Sequence, residues 1–298
     1  MKKKCAFVTI IGRPSVGKST LLNKMCGEKV AIVSNVPQTT RNAIRGIVNR
    51  DEGQLIFIDT PGRHSSEKKM NKKLMEVSER SLAESDLVLY VLDAIRAPGI
   101  EEEEVASLLA KLELSEKTIF AINKMDVPNA DFKLAKDFLL QKLPKIDEKS
   151  IYTTSAETGQ GVEELLSALY AMAQEGEPLY GDEYYTDQET DFRIAEIIRE
   201  QAINRLRQEL PHSLYIEIAD MELKEKKLWV RAFILVERES QKGIVVGKGG
   251  EMIKKIRLAS LKELKKILEW KIDLDLRVKT SKDWRHSDHK LKRIIEQK

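Results

Sequence analysis

The run "CAFVTIIGRPSVGKSTLLN", Cys5–Asn23, narrows the folds open to this chain more than any other stretch. An apolar segment ends at Gly12, Gly12–Ser19 reads G-x-x-x-x-G-K-S, and helix-forming residues follow at once. Strand, glycine loop and helix in that order form a phosphate cradle. Gly12 and Gly17 allow backbone angles and close approach that a Cβ would block. Amides from Ser15 to Ser19 then turn inward, helped by the helix N-terminus. The candidate cradle comprises Gly12, Arg13, Pro14, Ser15, Val16, Gly17, Lys18, Ser19 and Thr20. Lys18 is the candidate to reach the β and γ phosphates, and the Ser19 hydroxyl the candidate Mg²⁺ ligand.

The surrounding pattern sets the fold class. "CAFVTIIG", "QLIFIDT", "DLVLYVLDA", "KTIFAINK" and "SIYTTSA" are short apolar runs, several of them continuous enough for strands covered on both faces. Helical stretches such as "EEEVASLLAKL" and "VEELLSALYAMA" lie between or after them. The alternation predicts an α/β domain with a mostly parallel sheet over residues 1–173, its ligands at the carboxyl ends of the strands. "QEGEPLYGDEYYTDQET", residues 174–190, is acidic, holds Gly and Pro, has no hydrophobic period, and reads as a linker. Residues 191–298 predict a smaller α+β domain of order α-β-β-α-α-β, closed by a basic C-terminal helix.

Composition excludes several classes. With 298 residues, 42% hydrophobic and 33% charged, the chain is long enough for two domains and too apolar to be disordered. "MKKKCAFVTIIG" resembles a secretory leader only superficially, because its apolar part is very short and runs straight into the phosphate loop. No apolar run approaches the ~20 residues that span a bilayer. Two cysteines without CxxC spacing fit a reducing compartment, so a cytoplasmic monomer is expected. The net charge of +3 hides an asymmetry: Lys242–Lys298 holds 17 Lys and Arg against 8 Asp and Glu. That surplus points to a polyanion partner for the second domain.

Three further strings choose the nucleotide. "NKMD", Asn123–Asp126, follows an apolar strand. The Asp126 carboxylate can accept from guanine N1–H and the exocyclic amine, whereas adenine would leave it unpaired, which disfavours ATP kinases and transporters. Lys124 can lay its stem along the base, and Asn123 can tie this loop to the phosphate loop. "TSA", Thr154–Ala156, brings Ser155 and the Ala156 N–H to the base. "DTPG", Asp59–Gly62, offers Asp59 to Mg²⁺ through water and the Gly62 N–H to the γ phosphate. Between the glycine loop and "DTPG", Thr40 (Thr39 as the second choice) completes the metal shell when GTP is bound, which makes a two-state switch. These residues describe a GTPase using GTP/GDP and Mg²⁺, with Lys18, Thr40 and Gly62 nearest the chemistry and Ser19, Thr40 and Asp59 on the metal. No Gln follows Gly62 to orient water. The rival reading is an RNA-binding protein whose nucleotide is purely structural, and turnover separates the two.

A second loop, "GKGG" at Gly247–Gly250, lacks the Walker spacing and has no Ser or Thr after Lys248. It resembles the G-x-x-G of KH domains, which clamps a single-stranded RNA backbone. Gly247, Lys248, Gly249, Gly250, Lys254 and Lys255 are the candidate RNA-binding residues, with Ile244, Val245, Val246 and Ile253 as an apolar wall for bases. His286 and His289 lack companions for a metal site, the acidic run Glu101–Glu104 suits a helix start, and Trp229 and Trp270 suit a core.

In order and spacing, "GRPSVGKSTLLN", "PQTTR", "IDTPG", "NKMD" and "TSA" resemble the Era family of GTPases. "EIIREQ", "ELPHSLYIEI" and "ILVERESQKGIVVGKGGEMIKKI" resemble that family's second domain, so the likeness spans nearly the whole chain. It implies a GTP-dependent factor that binds the 3′ end of small-subunit ribosomal RNA and assists assembly of the 30S subunit. It also implies peripheral association with the inner membrane. The double-GTPase ribosome factors, which share a KH-like end, need a second Walker motif that this chain lacks. Two departures stand out: Ser15 replaces a usual Asn linked to potassium-assisted hydrolysis, and Arg63 replaces a usual apolar residue.

Overall fold

The structure is a computed structural model that describes residues 2–34, 36, 39–62, 78–207 and 210–281. Arg63, Trp284, His286, His289 and the expected basic C-terminal helix lie outside the described residues. The chain forms two units: Met1–Ala31 with Pro37–Asp187, and Ile32–Val36 with Gln188–Lys298.

The first unit is a six-stranded sheet in the order β2-β3-β1-β4-β5-β6. Its strands are β1 (Lys4–Ile11), β2 (Ile44–Arg50), β3 (Gly53–Asp59), β4 (Leu87–Asp93), β5 (Thr118–Asn123) and β6 (Ile151–Thr153). All pairs are parallel except β2 with β3. β3, β4 and β5 are buried along their whole length, so their sequences run apolar without alternating. Helices α1 (Lys18–Cys26), α2 (Ile100–Lys111), α3 (Phe132–Lys142) and α4 (Val162–Met172) connect and cover them. On one side Tyr90, Leu92 and Phe120 pack with Val105 and Leu109 of α2 and Leu139 of α3. The Tyr90 and Phe120 rings meet edge-on at 6.1 Å.

β2 is absent from the strands expected of the sequence, where it falls in a polar stretch. "IRGIVNR" alternates only partly, and as an antiparallel edge strand it carries Arg45, Asn49 and Arg50. Of the expected linker, residues 174–190, Gln174–Gly176 lie against β1 and Asp182–Asp187 lie along this edge. The Ile47 N–H donates to the Tyr185 carbonyl, Thr186 Oγ1 donates to the Arg45 carbonyl, and Arg45 pairs with Asp187 at 2.8 Å. The stretch looks unstructured in sequence because its partner is another segment's backbone.

The second unit contains α5 (Thr190–Ile203), the single turn α6 (Leu210–Ser213), β7 (Tyr215–Lys224), β8 (Lys227–Val236), α7 (Glu239–Val246), α8 (Glu251–Ile267) and β9 (Lys271–Thr280). β7 and β8 are antiparallel, and β8 and β9 parallel, giving a KH-type order. Leu228, Val230, Ala232 and Ile234 face the core formed with α5, α7 and α8, including Ile194, Ile198, Val245, Ile256 and Leu264. Ile32 is buried in the same core, and the Val33 N–H donates to Glu200 Oε1 of α5. The run "GIVV", expected as an apolar wall, is the last turn of α7. Val245 is fully buried, Ile253 packs on the core, and only Ile244 is well exposed. Trp270 packs against this core, but Trp229 does not, because it alternates to the opposite sheet face, where the Arg231 guanidinium sits 4.9 Å over its ring. Leu264→Ala should cost about 2–5 kcal/mol of stability in denaturant titration, as expected for truncating a fully buried leucine.

Candidate functional site

The carboxyl edge of the six-stranded sheet carries the candidate residues on several of its loops. Gly12 follows β1, Asp59 ends β3, Asn123 ends β5, and Thr154–Ala156 follow β6. Loops diverge here on either side of β1, the position where open α/β sheets bind ligands. At Gly17, φ is 101° and a Cβ would lie 2.4 Å from Asn123 Nδ2, so only glycine fits.

The phosphate loop curls around its lysine. Lys18 Nζ donates to the Gly12 and Arg13 carbonyls, each at 2.9 Å, and is nearly buried. Burial lowers its pKa to about 8, against the opposing pull of Asp59. An ammonium held this way pairs favourably with an arriving phosphate. Thr20 lies in the first turn of α1, and Pro14 packs close beneath Gly62, where a Cβ would meet Pro14 N at 2.8 Å. The side chains of Arg13 and Val16 are buried, that of Arg13 against Asp93 and Glu102. Both residues serve through their carbonyls: Arg13 toward Lys18, Val16 toward Asn123.

The structure brings Ser19, Thr40 and Asp59 together. Ser19 Oγ donates to Asp59 Oδ2 at 2.5 Å and lies 3.0 Å from Thr40 Oγ1. Asp59 is fully buried, which raises its pKa, and its Oδ1 has no hydrogen-bond partner. An orphaned carboxylate oxygen beside two hydroxyls is a hard-oxygen set that fits Mg²⁺. A bound Mg²⁺ supplies charge neutralisation between phosphate oxygens.

The base side is held by hydrogen bonds. Asn123 Nδ2 donates to the Val16 carbonyl at 2.9 Å, and Asn123 Oδ1 accepts from the Ala156 N–H at 2.9 Å and from Thr154 Oγ1. The Ala156 N–H, expected to face a guanine carbonyl, is therefore engaged by Asn123. The Ser155 hydroxyl donates to Asp126 Oδ1 at 2.5 Å, aligning that carboxylate. Lys124 has φ 69° and reaches Asp93 Oδ2 at 2.9 Å. Sequence reasoning alone misses Asp93 and Glu102. The signals are there, one an acid ending an apolar strand, the other a member of an acidic run.

The second loop stands in the other unit. Gly247, Gly249 and Gly250 have φ of 75°, 59° and 79°, and a Cβ at Gly249 or Gly250 would meet nothing within 4 Å. Lys248, Lys254 and Lys255 are exposed. The loop opens α8, whose first amides point outward at the helix N-terminus, a favourable place for phosphate.

Fold and site together define a guanine-nucleotide GTPase domain followed by a KH domain. The family model for 50S ribosome-binding GTPases matches residues 7–124, and the KH domain model matches residues 209–285. GTPase Era of Treponema denticola is 52% identical over 289 residues, covering 96% of this chain and 98% of that protein. Two crystal structures align with TM-scores of 0.91 at 34% identity, each covering 98% of both chains. One is Era in complex with MgGDPNP and nucleotides 1506–1542 of 16S ribosomal RNA, the other a point variant of Aquifex aeolicus Era bound to GDP·AlF4⁻. The chain belongs to the Era family of GTPases.

Asp126→Asn should shift preference from guanine toward xanthine nucleotides, because an amide presents donors where the carboxylate accepts. Titration showing unchanged GTP affinity would count against this role of Asp126.

Proposed function

We propose that this protein is a GTP-driven switch that binds the 3′ end of small-subunit ribosomal RNA and assists 30S assembly. The observation that carries the RNA half is the Gly247–Gly250 loop, with open space over Gly249 and Gly250 and exposed lysines around it. The nucleotide half rests on Lys18, Asp59 and the Asn123–Asp126 loop meeting at one sheet edge. Ser19, Thr40 and Asp59 hold Mg²⁺, the Gly62 N–H senses the γ phosphate, and Asp126 selects guanine. Lys254 and Lys255 add charge for the RNA backbone. The protein acts as a cytoplasmic monomer. Any inner-membrane association is peripheral in this reading. Among the described residues no helix is long and apolar enough to cross a membrane.

Hydrolysis without a partner is slow, well below the ~1–100 s⁻¹ typical of kinases, because no Gln follows Gly62. Ser15 has φ 64°, a left-handed conformation that Asn tolerates better than most residues. Ser15 has a shorter arm than Asn for holding a monovalent cation. Exchanging K⁺ for Na⁺ should therefore leave steady-state turnover unchanged, and marked potassium activation would refute this.

The RNA reading is tested by Lys248→Asp combined with Gly249→Asp, titrated with the 3′-terminal ribosomal RNA segment at one fixed salt concentration. Two added carboxylates repel phosphate, so binding should be lost while GDP affinity reports an intact fold. Wild-type affinity should fall steeply with salt. Retained binding by the double variant would sink the assignment.

A further inference from the structure

Beneath the phosphate loop lie four charges with no role in the chemistry above. Arg13 turns its guanidinium into the domain, 3% exposed, with Nη2 3.0 Å from Asp93 Oδ2 and Nε 2.5 Å from Glu102 Oε1. Asp93 Oδ2 also holds Lys124 Nζ at 2.9 Å. Asp93 and Glu102 are 6% and 4% exposed. Each carboxylate is fixed by a backbone amide on its other oxygen: the Ile95 N–H donates to Asp93 Oδ1 and the Gly99 N–H to Glu102 Oε2, both at 2.8 Å.

Two cations and two anions balance in number, three of them buried and Lys124 partly exposed. Such a group is a poor way to add stability, since apolar side chains of similar volume do as well or better. Its geometry is what distinguishes it. Arg13 belongs to the phosphate loop, Lys124 to the base loop, and Asp93 contacts both. Glu102 makes a second close ion pair, at Arg13 Nε, although neither Nε nor Nη2 meets hydrogen-bond geometry, so the charges restrain the guanidinium by attraction.

We propose that Asp93 and Glu102 are positioning residues for guanine nucleotide. Acting through Arg13 and Lys124, they set the separation of the phosphate and base loops before the nucleotide arrives. The inference rests on the guanine-nucleotide reading of the site. Neither carboxylate touches the nucleotide. Pre-set loops avoid an ordering cost on binding, and a protein with only a fraction of its molecules competent binds more weakly by that fraction. The ion pairs and hydrogen bonds of these four side chains go to one another and to the Ile95 and Gly99 amides rather than to Asp59 or Gly62, so GDP and GTP should lose affinity alike.

Glu102→Gln and Asp93→Asn are near-isosteric, and each amide oxygen can still accept the local backbone N–H. Affinities for GDP and a non-hydrolysable GTP analogue, steady-state KM and kcat, and thermal melts would be measured on the full chain. In each variant both dissociation constants should rise by the same factor, about tenfold if one molecule in ten keeps both loops in place. KM should follow them, with kcat moving less. Glu102→Asp, which keeps the charge on a shorter arm, should recover part of the loss. The double variant should lose less than the product of the single effects, because both carboxylates act on Arg13. Wild-type affinity in a folded variant, unequal losses for the two nucleotides, or loss of a cooperative melt in both variants would each overturn the proposal. Failure of the wild-type protein to bind guanine nucleotide at all would sink the reading of the site along with it.

Discussion

Asn123 closes the carboxyl edge of the larger sheet with one amide group. Its nitrogen donates to the Val16 carbonyl in the phosphate loop, and its oxygen accepts from Ala156 and Thr154 after β6. Three loops from strands distant in sequence are thereby joined at a buried point, where an unmet polar group would be costly. The same contact dictates Gly17, because any side chain there would collide with the Asn123 amide. Two motifs that look independent in sequence, the glycine loop and "NKMD", are thus one steric and hydrogen-bonded assembly.

Motifs made of consecutive residues are readable because their chemistry is local: a glycine loop between strand and helix, or an acid presented to a base. The parallel strands are readable because burial on both faces leaves continuous apolar runs, as in β3 and β4. What escapes is whatever depends on a distant partner. β2 is an edge strand whose polar side chains meet residues 180–187. Val245 sits in an apolar run like that of a strand, but it lies on the inner face of α7. Trp229 alternates away from the core although its neighbours Leu228 and Val230 face it. Glu102 is one of four consecutive acids, and only the helix phase of α2 selects it for burial against Arg13.

The chain path also departs from the simple picture of one domain followed by another. Ile32–Val36 is assigned to the second unit, with Ile32 in its core and the Val33 amide on Glu200. Thr40, which lies beside Ser19 and Asp59 in the first unit, follows only four residues after Val36. An extended chain spans at most about 3.3–3.6 Å per residue. Thr40 thus follows closely, on its N-terminal side, a segment whose Ile32 is buried in the core of the second unit.

Two glycine loops in one chain handle phosphate by opposite means, and burial explains the division. Around Gly12–Ser19 the lysine is sunk into the fold, held by its own loop carbonyls, and lowered in pKa by desolvation. Electrostatic attraction there is strong because the lysine is shielded from water. Around Gly247–Gly250 the glycines open to solvent and the lysines are exposed. Attraction there is screened and weaker per contact, which suits a long polyanion that must be gripped at several phosphates and then released. A buried site is selective for one molecule, and an exposed one tolerates a moving strand.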